Sequence, residues 1–368
     1  MIFLLMLCIT GLPLIFHEEI DDLLETEVTA PVLPAGTPLA SLDRIIAAGR
    51  AYAPGHAILF LSLRPHDPDV VALGMSPTPT PKPAQFSRVS IDARTAQVLN
   101  ETAPRRGGVM HMILTLHKDM FLGLPGELFL GFMGLVAAAS VISGIVIYAP
   151  FMRRIDFGTI RKTSNRVKWI DLHNLFGIVT VIWVLVVFVT GTINTLAIPL
   201  YDLYRAQALP PLLKPYQGKP VAQINALDDA VRRVRTANPD RIVTSVTMPT
   251  ALRSGSPQHF VVWTKGNSPF TAKLAEPVLV DVSSGEIVHA PPMPWYLQAL
   301  QVARPLHFGD YGGLPFKIVW AALDVVAIIV LGSGLYLWVA RVFRRSSPAP
   351  TVGVAPPAAG TARRNARA

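Results

Sequence analysis

Three long apolar segments limit what this chain can fold into. Leu128–Ala149 and Leu175–Ile198 hold 22 and 24 residues without a charge, and Ile318–Ala340 holds 23 residues with one charge, Asp324. A helix needs about 20 apolar residues to cross the hydrocarbon core of a bilayer. We therefore predict an integral membrane protein, mainly α-helical, in which these three segments are transmembrane helices.

A fourth apolar segment, Ile2–Phe16, has only 15 residues. At about 1.5 Å rise per residue it falls short of a hydrocarbon core of about 30 Å. It lacks the basic residues before it and the clear small-residue cleavage site after it that a signal peptide has. We expect it to be the outer part of a truncated first helix, which brings the predicted number of transmembrane helices to four.

Basic residues predict the orientation of these helices. The loop 151–168 carries six Lys or Arg residues against one acidic residue, and the tail 342–368 carries five Arg and no acidic residue. Both are expected to be cytoplasmic by the positive-inside rule. The polar segments 17–108 and 199–304 then lie outside the membrane, which in a bacterium with two membranes is the periplasm. We therefore expect a multi-pass protein of the bacterial inner membrane. The tail is rich in Pro, Ala and Gly and is expected to be disordered.

The single cysteine and the placement of charge exclude several kinds of site. Cys8 is the only cysteine, so intrachain disulfides, CxxCH haem attachment and cysteine-ligated clusters are excluded. The formal charge is +9, but no basic soluble face with aromatic residues is visible, so no nucleic-acid partner is expected. The sequence also lacks a glycine-rich dinucleotide fingerprint.

The sequence repeats internally. The second and fourth apolar segments align at an offset of 190 residues, so that His117 meets His307, and the first and third align at an offset of 180, so that Thr10-Gly11 meets Thr190-Gly191. Each outer segment has the pattern of a helix followed by strands. We therefore predict two parallel repeats, each with a small α+β periplasmic domain between its two helices.

The predicted boundaries follow from these segments. They are a truncated helix at 1–16, a first periplasmic domain at 17–108, an interfacial segment and second helix at 109–150, a basic loop at 151–168, a third helix at 169–198, a second periplasmic domain at 199–304, a fourth helix at 305–341 and a disordered tail at 342–368.

Several motifs resemble a known family. The helix–strand pattern that closes on Val-Asp-x-x-(Ser/Thr)-Gly-Glu-Ile, as at 280–287, looks like a PepSY domain. Together with Leu-His-Lys-Asp-Met-Phe-Leu-Gly, Asp-Leu-His-Asn-Leu-Phe-Gly and Leu-His-Phe-Gly, it makes residues 1–345 similar to PepSY-associated transmembrane proteins. That group includes inner-membrane ferric-siderophore reductases with b-type haem. Its members have a histidine in the first helix that the repeat would place before residue 1.

Three histidines lie at the mouths of predicted membrane helices. His117, His173 and His307 are functional candidates because ionisable residues are costly there, although water or lipid headgroups could satisfy a histidine at the interface. We expect His117 and His307 to face each other on the outer side. Two neutral imidazoles suit iron, and without cysteine the cofactor they suit is non-covalent haem b.

A second haem on the cytoplasmic side would use His173 and the upstream histidine, so this site is predicted to be half built. Arg304 could pair with a haem propionate or anchor the membrane edge. The histidines of the outer domains, His56, His66, His259 and His289, are expected to be solvated, and His111 is left undecided.

Two functions from different classes fit these predictions. One is a haem-b electron-transfer protein that reduces a ferric siderophore at the periplasmic face, with a quinol or a separate protein as electron donor. The other is a non-enzymatic PepSY module, without a redox centre, that binds or inhibits a periplasmic peptidase or another protein. Transport of the chelate is a weaker third option, since four helices leave little room for a pore. Membrane lipid surrounds the protein in each case, and a homo-oligomer is possible.

Overall fold

A computed structural model describes residues 1–24, 28–64, 67–79, 86–102, 108–152, 156–216, 218–219, 226–249, 256–268, 271–288 and 293–346. In chain order the helices and strands are α1 (Ile2–Ile15), α2 (His17–Leu24), α3 (Leu42–Tyr52), β1 (Ala57–Arg64), β2 (Asp67–Ser76), β3 (Ser87–Asp92), β4 (Val98–Thr102), α4 (Val109–Asp119), α5 (Leu124–Met152), α6 (Asn165–Thr195), α7 (Ala197–Leu213), α8 (Leu227–Ala237), β5 (Arg241–Thr247), β6 (His259–Gly266), β7 (Ala275–Asp281), β8 (Ile287–Val288), α9 (Trp295–Phe308) and α10 (Gly313–Ser346). The predicted disordered tail lies outside the described residues from residue 347 onward.

Three helices in this described part are long and apolar enough to cross a membrane: Leu124–Pro150, Asn165–Thr195 and Asp310–Val342. They contain the apolar segments Leu128–Ala149 and Ile318–Ala340, and all but the last three residues of Leu175–Ile198. The predicted fourth spanning helix is not borne out by its length, because α1 has 14 residues and covers only about 21 Å. The structure therefore supports a membrane protein with three helices of spanning length and one shorter apolar helix.

The outer segments form one sheet rather than the two separate domains that the sequence predicts. Its eight strands are antiparallel and run in the order β4-β3-β2-β1-β5-β6-β7-β8. The segments join where β1 pairs with β5, through Phe60 opposite Thr247, Leu61 opposite Val246 and Ser62 opposite Ser245. An unpaired edge strand leaves backbone N–H and C=O groups without partners, and this pairing removes one such edge from each segment.

Helices α3 and α8 pack on one face of the sheet and close its core. Ile45 and Ile46 of α3 and Val231 and Val234 of α8 are buried there among the inward side chains of the strands. Together with the buried Gly49 of α3 and Leu227 and Ala230 of α8, they recur at three- and four-residue spacings, which place them on one side of each helix. Since the core draws on both outer segments, it is continuous across the β1–β5 junction.

The two helices also cap each other at their first turns. The carboxylate of Asp228 accepts hydrogen bonds from the backbone N–H groups of Leu42 (2.9 Å) and Asp43 (3.2 Å). The carboxylate of Asp43 in turn accepts from Leu227 (2.9 Å) and Asp228 (3.2 Å). Helix α8 follows Ala226, whose side chain cannot cap it, so Asp43 of the other segment does this.

The membrane helices bring the ends of the short helices α4 and α9 close to one another. Helix α6 packs against both α5 and α10, and α1 packs against α10. Helix α4, which precedes α5, packs against α1, and α9, which precedes α10, packs against α6. His117 at the end of α4 and His307 at the end of α9 are thereby brought to the same end of the bundle.

Candidate functional site

His117 and His307 lie in the last turns of two short helices that end just before spanning helices. The C-cap residues that follow α4 and α9, Met120 and Gly309, both have left-handed backbone (φ 52° and 77°). At Gly309 a Cβ would meet the ring of Trp320 at 2.8 Å, so glycine is needed there for space as well as for its φ. These sharp ends let the chain turn from α4 and α9 into α5 and α10 directly after each histidine.

The two imidazole rings face each other. Their centroids are 6.2 Å apart, with an angle of 57° between the ring planes. Two imidazoles bonded at about 2 Å to opposite sides of one ion have centroids about 6 Å apart. The spacing of this pair therefore fits two histidines that would hold one iron between them.

The inner nitrogen of each ring contacts the helix behind it. His117 Nδ1 lies 3.0 Å from Thr10 Oγ1 of α1, and that hydroxyl donates its own hydrogen to the carbonyl of Met6 at 2.7 Å. His307 Nδ1 lies 3.1 Å from the carbonyl oxygen of Val187 on α6. Because these oxygens accept, each Nδ1 carries the proton and each Nε2 keeps its lone pair. Metal-binding histidines are commonly oriented in this way.

A glycine lies under each ring. A Cβ on Gly11 of α1 would meet Cε1 of His117 at 3.2 Å, and a Cβ on Gly191 of α6 would meet Cε1 of His307 at 2.9 Å. Any side chain at Gly191 would therefore displace the imidazole. The hydroxyl of Thr190 also lies 3.3 Å from His307 Nδ1. In each Thr-Gly pair the threonine hydroxyl thus contacts Nδ1 and the glycine makes room for the ring.

The surroundings keep His117 neutral. Burial among apolar groups, and secondarily the neighbouring His307, lower the pKa of His117 to about 4. Burial also lowers the pKa of His307. Both rings are therefore unprotonated near neutral pH, the state in which an imidazole can bind a metal.

His173 has the same kind of setting on α6. Its Nδ1 lies 3.0 Å from the carbonyl oxygen of Val330 and 3.1 Å from Ser333 Oγ, both on α10. A Cβ on Gly334 would meet its Cε1 at 3.2 Å. The pair Ser143-Gly144, aligned with Ser333-Gly334 in the sequence, has no ring above its glycine, since a Cβ there would meet nothing within 4 Å. The half-built second site stays a prediction.

Three further polar residues differ in how well the sequence predicted their surroundings. Arg304, one turn before His307, has an exposed side chain, and its pairing with a propionate stays a prediction. His259, expected to be solvated, is instead fully buried and lies 2.7 Å from Ser256 Oγ. Lys317 was not predicted from the sequence: it is a buried cation in the first turns of α10, 3.0–3.1 Å from carboxylate oxygens of Glu18 and Glu19 on α2.

Larger metal-binding groups are not seen in the described ranges. No cluster of three or more His, Cys, Asp or Glu side chains that could hold a metal ion occurs among those residues. A haem needs only its two axial ligands from the protein, because the porphyrin supplies the other four nitrogens. The fit of His117 and His307 to haem iron therefore depends on their spacing and on the orientation of their nitrogens.

Comparison with known proteins supports the resemblance seen in the sequence. The profile of the PepSY-associated TM region matches residues 1–341. An uncharacterized protein of Pseudomonas aeruginosa is 27% identical over 270 residues, which is 65% of this chain and 65% of that protein. The match thus spans slightly less than two thirds of the relative's length. Since the family profile covers nearly the whole chain, this protein belongs to the PepSY-associated transmembrane family.

Proposed function

We propose that this chain is an electron-transfer protein that carries haem b and reduces ferric chelates, such as iron–siderophore complexes, at the periplasmic face of the bacterial inner membrane. The observation that carries the proposal is the imidazole pair of His117 and His307, with centroids 6.2 Å apart. Haem held there would supply one-electron chemistry. Reduction of ferric to ferrous iron weakens its binding by the hard oxygen donors of a siderophore, so iron is released.

The protein's own part in this function is to hold two ligands ready. The Thr10 hydroxyl and the Val187 carbonyl fix the Nδ1–H tautomers, so that both Nε2 lone pairs point away from the helices that support the rings. The lowered pKa of His117 keeps its lone pair available across the physiological pH range. A site with both ligands already oriented loses little entropy when the cofactor binds.

The orientation of the chain and its descent from two repeats are part of the same proposal. The two halves share an element order of one helix followed by four strands in their outer segments, and His117 and His307 occupy equivalent places in them. The excess of Lys and Arg in the loop between α5 and α6 supports a cytoplasmic loop and a periplasmic sheet.

A visible absorption spectrum of the detergent-purified protein, oxidised and then reduced with dithionite, tests the proposal. We expect a six-coordinate b-type spectrum in the wild type that is lost in both His117→Ala and His307→Ala. His111→Ala is the matched control, since His111 is an exposed residue of the same helix α4. It should leave the spectrum unchanged.

The second half of the test is reduction of a ferric siderophore by the dithionite-reduced protein, followed through a ferrous-specific dye. A protein that binds no haem even after reconstitution would contradict the proposal. The non-enzymatic PepSY module would then be the better description, and binding to a periplasmic peptidase would be the next assay.

A further inference from the structure

A cavity of about 320 Å³ lies between α5, α6 and the loop that joins them. Its walls include Gly144 and Tyr148 of α5 and Asn174 of α6, and residues 156–159 and 161 of the loop also line it. Small-molecule sites usually have volumes of about 300–1,000 Å³. The cavity lies at the opposite ends of α5 and α6 from the His117–His307 pair, next to the basic loop.

The cavity combines apolar walls with a few fixed polar groups. Arg161 donates hydrogen bonds to Asp171 from its backbone N–H at 2.9 Å, from Nε at 3.1 Å and from Nη2 at 2.8 Å, which fastens the loop to α6. The half-buried Asn174 amide makes no side-chain hydrogen bond among the described residues and borders the cavity. The Tyr148 hydroxyl is a second donor and acceptor on the opposite wall.

The charge of the lining favours a neutral occupant. Among the lining residues that the structure describes, the charged ones are Asp156, Asp171 and Arg161, and Arg161 is paired with Asp171. The described lining therefore offers an anionic lipid headgroup no cation that is not already paired with a carboxylate. A neutral ring with oxygens at its edges would find hydrogen-bond partners instead.

The position of the cavity also suits a lipid-soluble molecule. Its helical walls lie in the spanning segments Leu124–Pro150 and Asn165–Thr195. Ile147 at its edge is 67% exposed on the outer surface of α5, where bilayer lipid would lie. An apolar tail can leave the cavity along this side chain and enter the hydrocarbon core.

We propose that this cavity binds the headgroup of a quinol, the electron donor for the function proposed above, on which this inference rests. Oxidation of one quinol breaks its two O–H bonds, releases two protons to water at the mouth of the cavity, where Asp156 is exposed, and yields two electrons. Two electrons reduce two ferric chelates to their ferrous forms. Asn174 and Tyr148 orient the headgroup by hydrogen bonds to its two oxygens.

Photo-crosslinking of the full, detergent-purified chain with a short-chain azidoquinone tests the site directly. We expect label on peptides that contain residues 144–148 or 170–175, competed by unlabelled decylubiquinone and not by cardiolipin. Gly144→Leu should weaken labelling about tenfold, a loss of about 1.4 kcal/mol in binding, because the new side chain enters open cavity space. Gly332→Leu is the matched control, since it also enters open space but on α10.

The outcomes separate the site from the proposed function, because labelling needs no redox centre. Three outcomes would each overturn the proposed site: Gly144→Leu is labelled as strongly as the wild type, the label is found on other segments, or cardiolipin competes and decylubiquinone does not. If Gly144→Leu fails to fold, Asn174→Leu removes the amide without filling the cavity and should lose labelling too. If the protein is labelled here but reduces no ferric chelate, the proposed site stands and the proposed function is overturned. If it reduces ferric chelates but is not labelled here, only the proposed site is overturned.

Discussion

Reciprocal capping between α3 and α8 leads to a specific prediction for Asp43→Ala. The change removes the acceptor for two backbone N–H groups at the start of α8, those of Leu227 and Asp228, at 2.9 and 3.2 Å. Loss of an N-terminal cap costs about 0.5–2 kcal/mol. Because Leu227 is buried, water cannot readily replace the carboxylate, and we expect a cost of about 2 kcal/mol.

Amide hydrogen exchange of the full chain in detergent measures this cost locally. A loss of about 2 kcal/mol corresponds to exchange about 30-fold faster in α8 and the strands beneath it. Asp43→Asn, which keeps an acceptor oxygen but not the charge, should lie between the wild type and Asp43→Ala.

Asp229→Ala is the matched control for this prediction. Asp229 is also an acidic residue in the first turn of α8, but its carboxylate pairs with Arg232 in an exposed i,i+3 ion pair at 2.6 Å. Such pairs contribute about 0–1 kcal/mol. If Asp43→Ala raised the exchange rate no more than Asp229→Ala does, the proposed stabilisation of α8 by the Asp43 cap would be refuted.

Three further changes test the histidine site and its surroundings. Gly191→Ala should displace the ring of His307, whose Cε1 a Cβ would meet at 2.9 Å, and should shift or abolish the b-type spectrum, whereas Gly332→Ala should not. The pKa of His117 in the folded state, about 4, is below the value near 6.5 of an unfolded chain, so protons favour unfolding between these values. The melting temperature should therefore fall as the pH drops from about 6.5 to 4, and His117→Gln should flatten this dependence; an equal slope in both proteins would refute it. Lys317→Met leaves carboxylates without their cation, and, because the glutamates are partly exposed, should cost about 1–3 kcal/mol in detergent unfolding, with Lys317→Arg closer to the wild type.

Membrane character and family could be predicted from the sequence, because both depend on local patterns. Three apolar segments of more than 20 residues, two without a charge and one with Asp324 alone, indicate where helices of spanning length lie. The alignment of His117 with His307 also indicated two equivalent positions, since similar segments fold alike. It could not give the distance between the rings, which depends on how α4 and α9 pack on different helices.

The joining of the outer segments could not be predicted from the sequence. Strand β1 has the pattern of an ordinary strand, and nothing local to it indicates that its neighbour is β5, about 180 residues further along the chain. Thr10-Gly11 and Thr190-Gly191 were visible as aligned pairs, but their contact with imidazoles belongs to the tertiary structure. His259 was misjudged for a similar reason, since it is covered by Tyr216, whose ring centroid is 4.4 Å from its own.

The junction between β1 and β5 means that neither half of the chain is complete alone. Residues 1–152 and 156–346 meet through the sheet, through the mutual caps of Asp43 and Asp228, and through the packing of α1 on α10. The two halves therefore pack like the subunits of a dimer, and the basic loop is the covalent link between them. Two co-expressed fragments, divided in that loop, should associate in the membrane. Each fragment would contribute one of the two facing imidazoles, His117 from the first and His307 from the second.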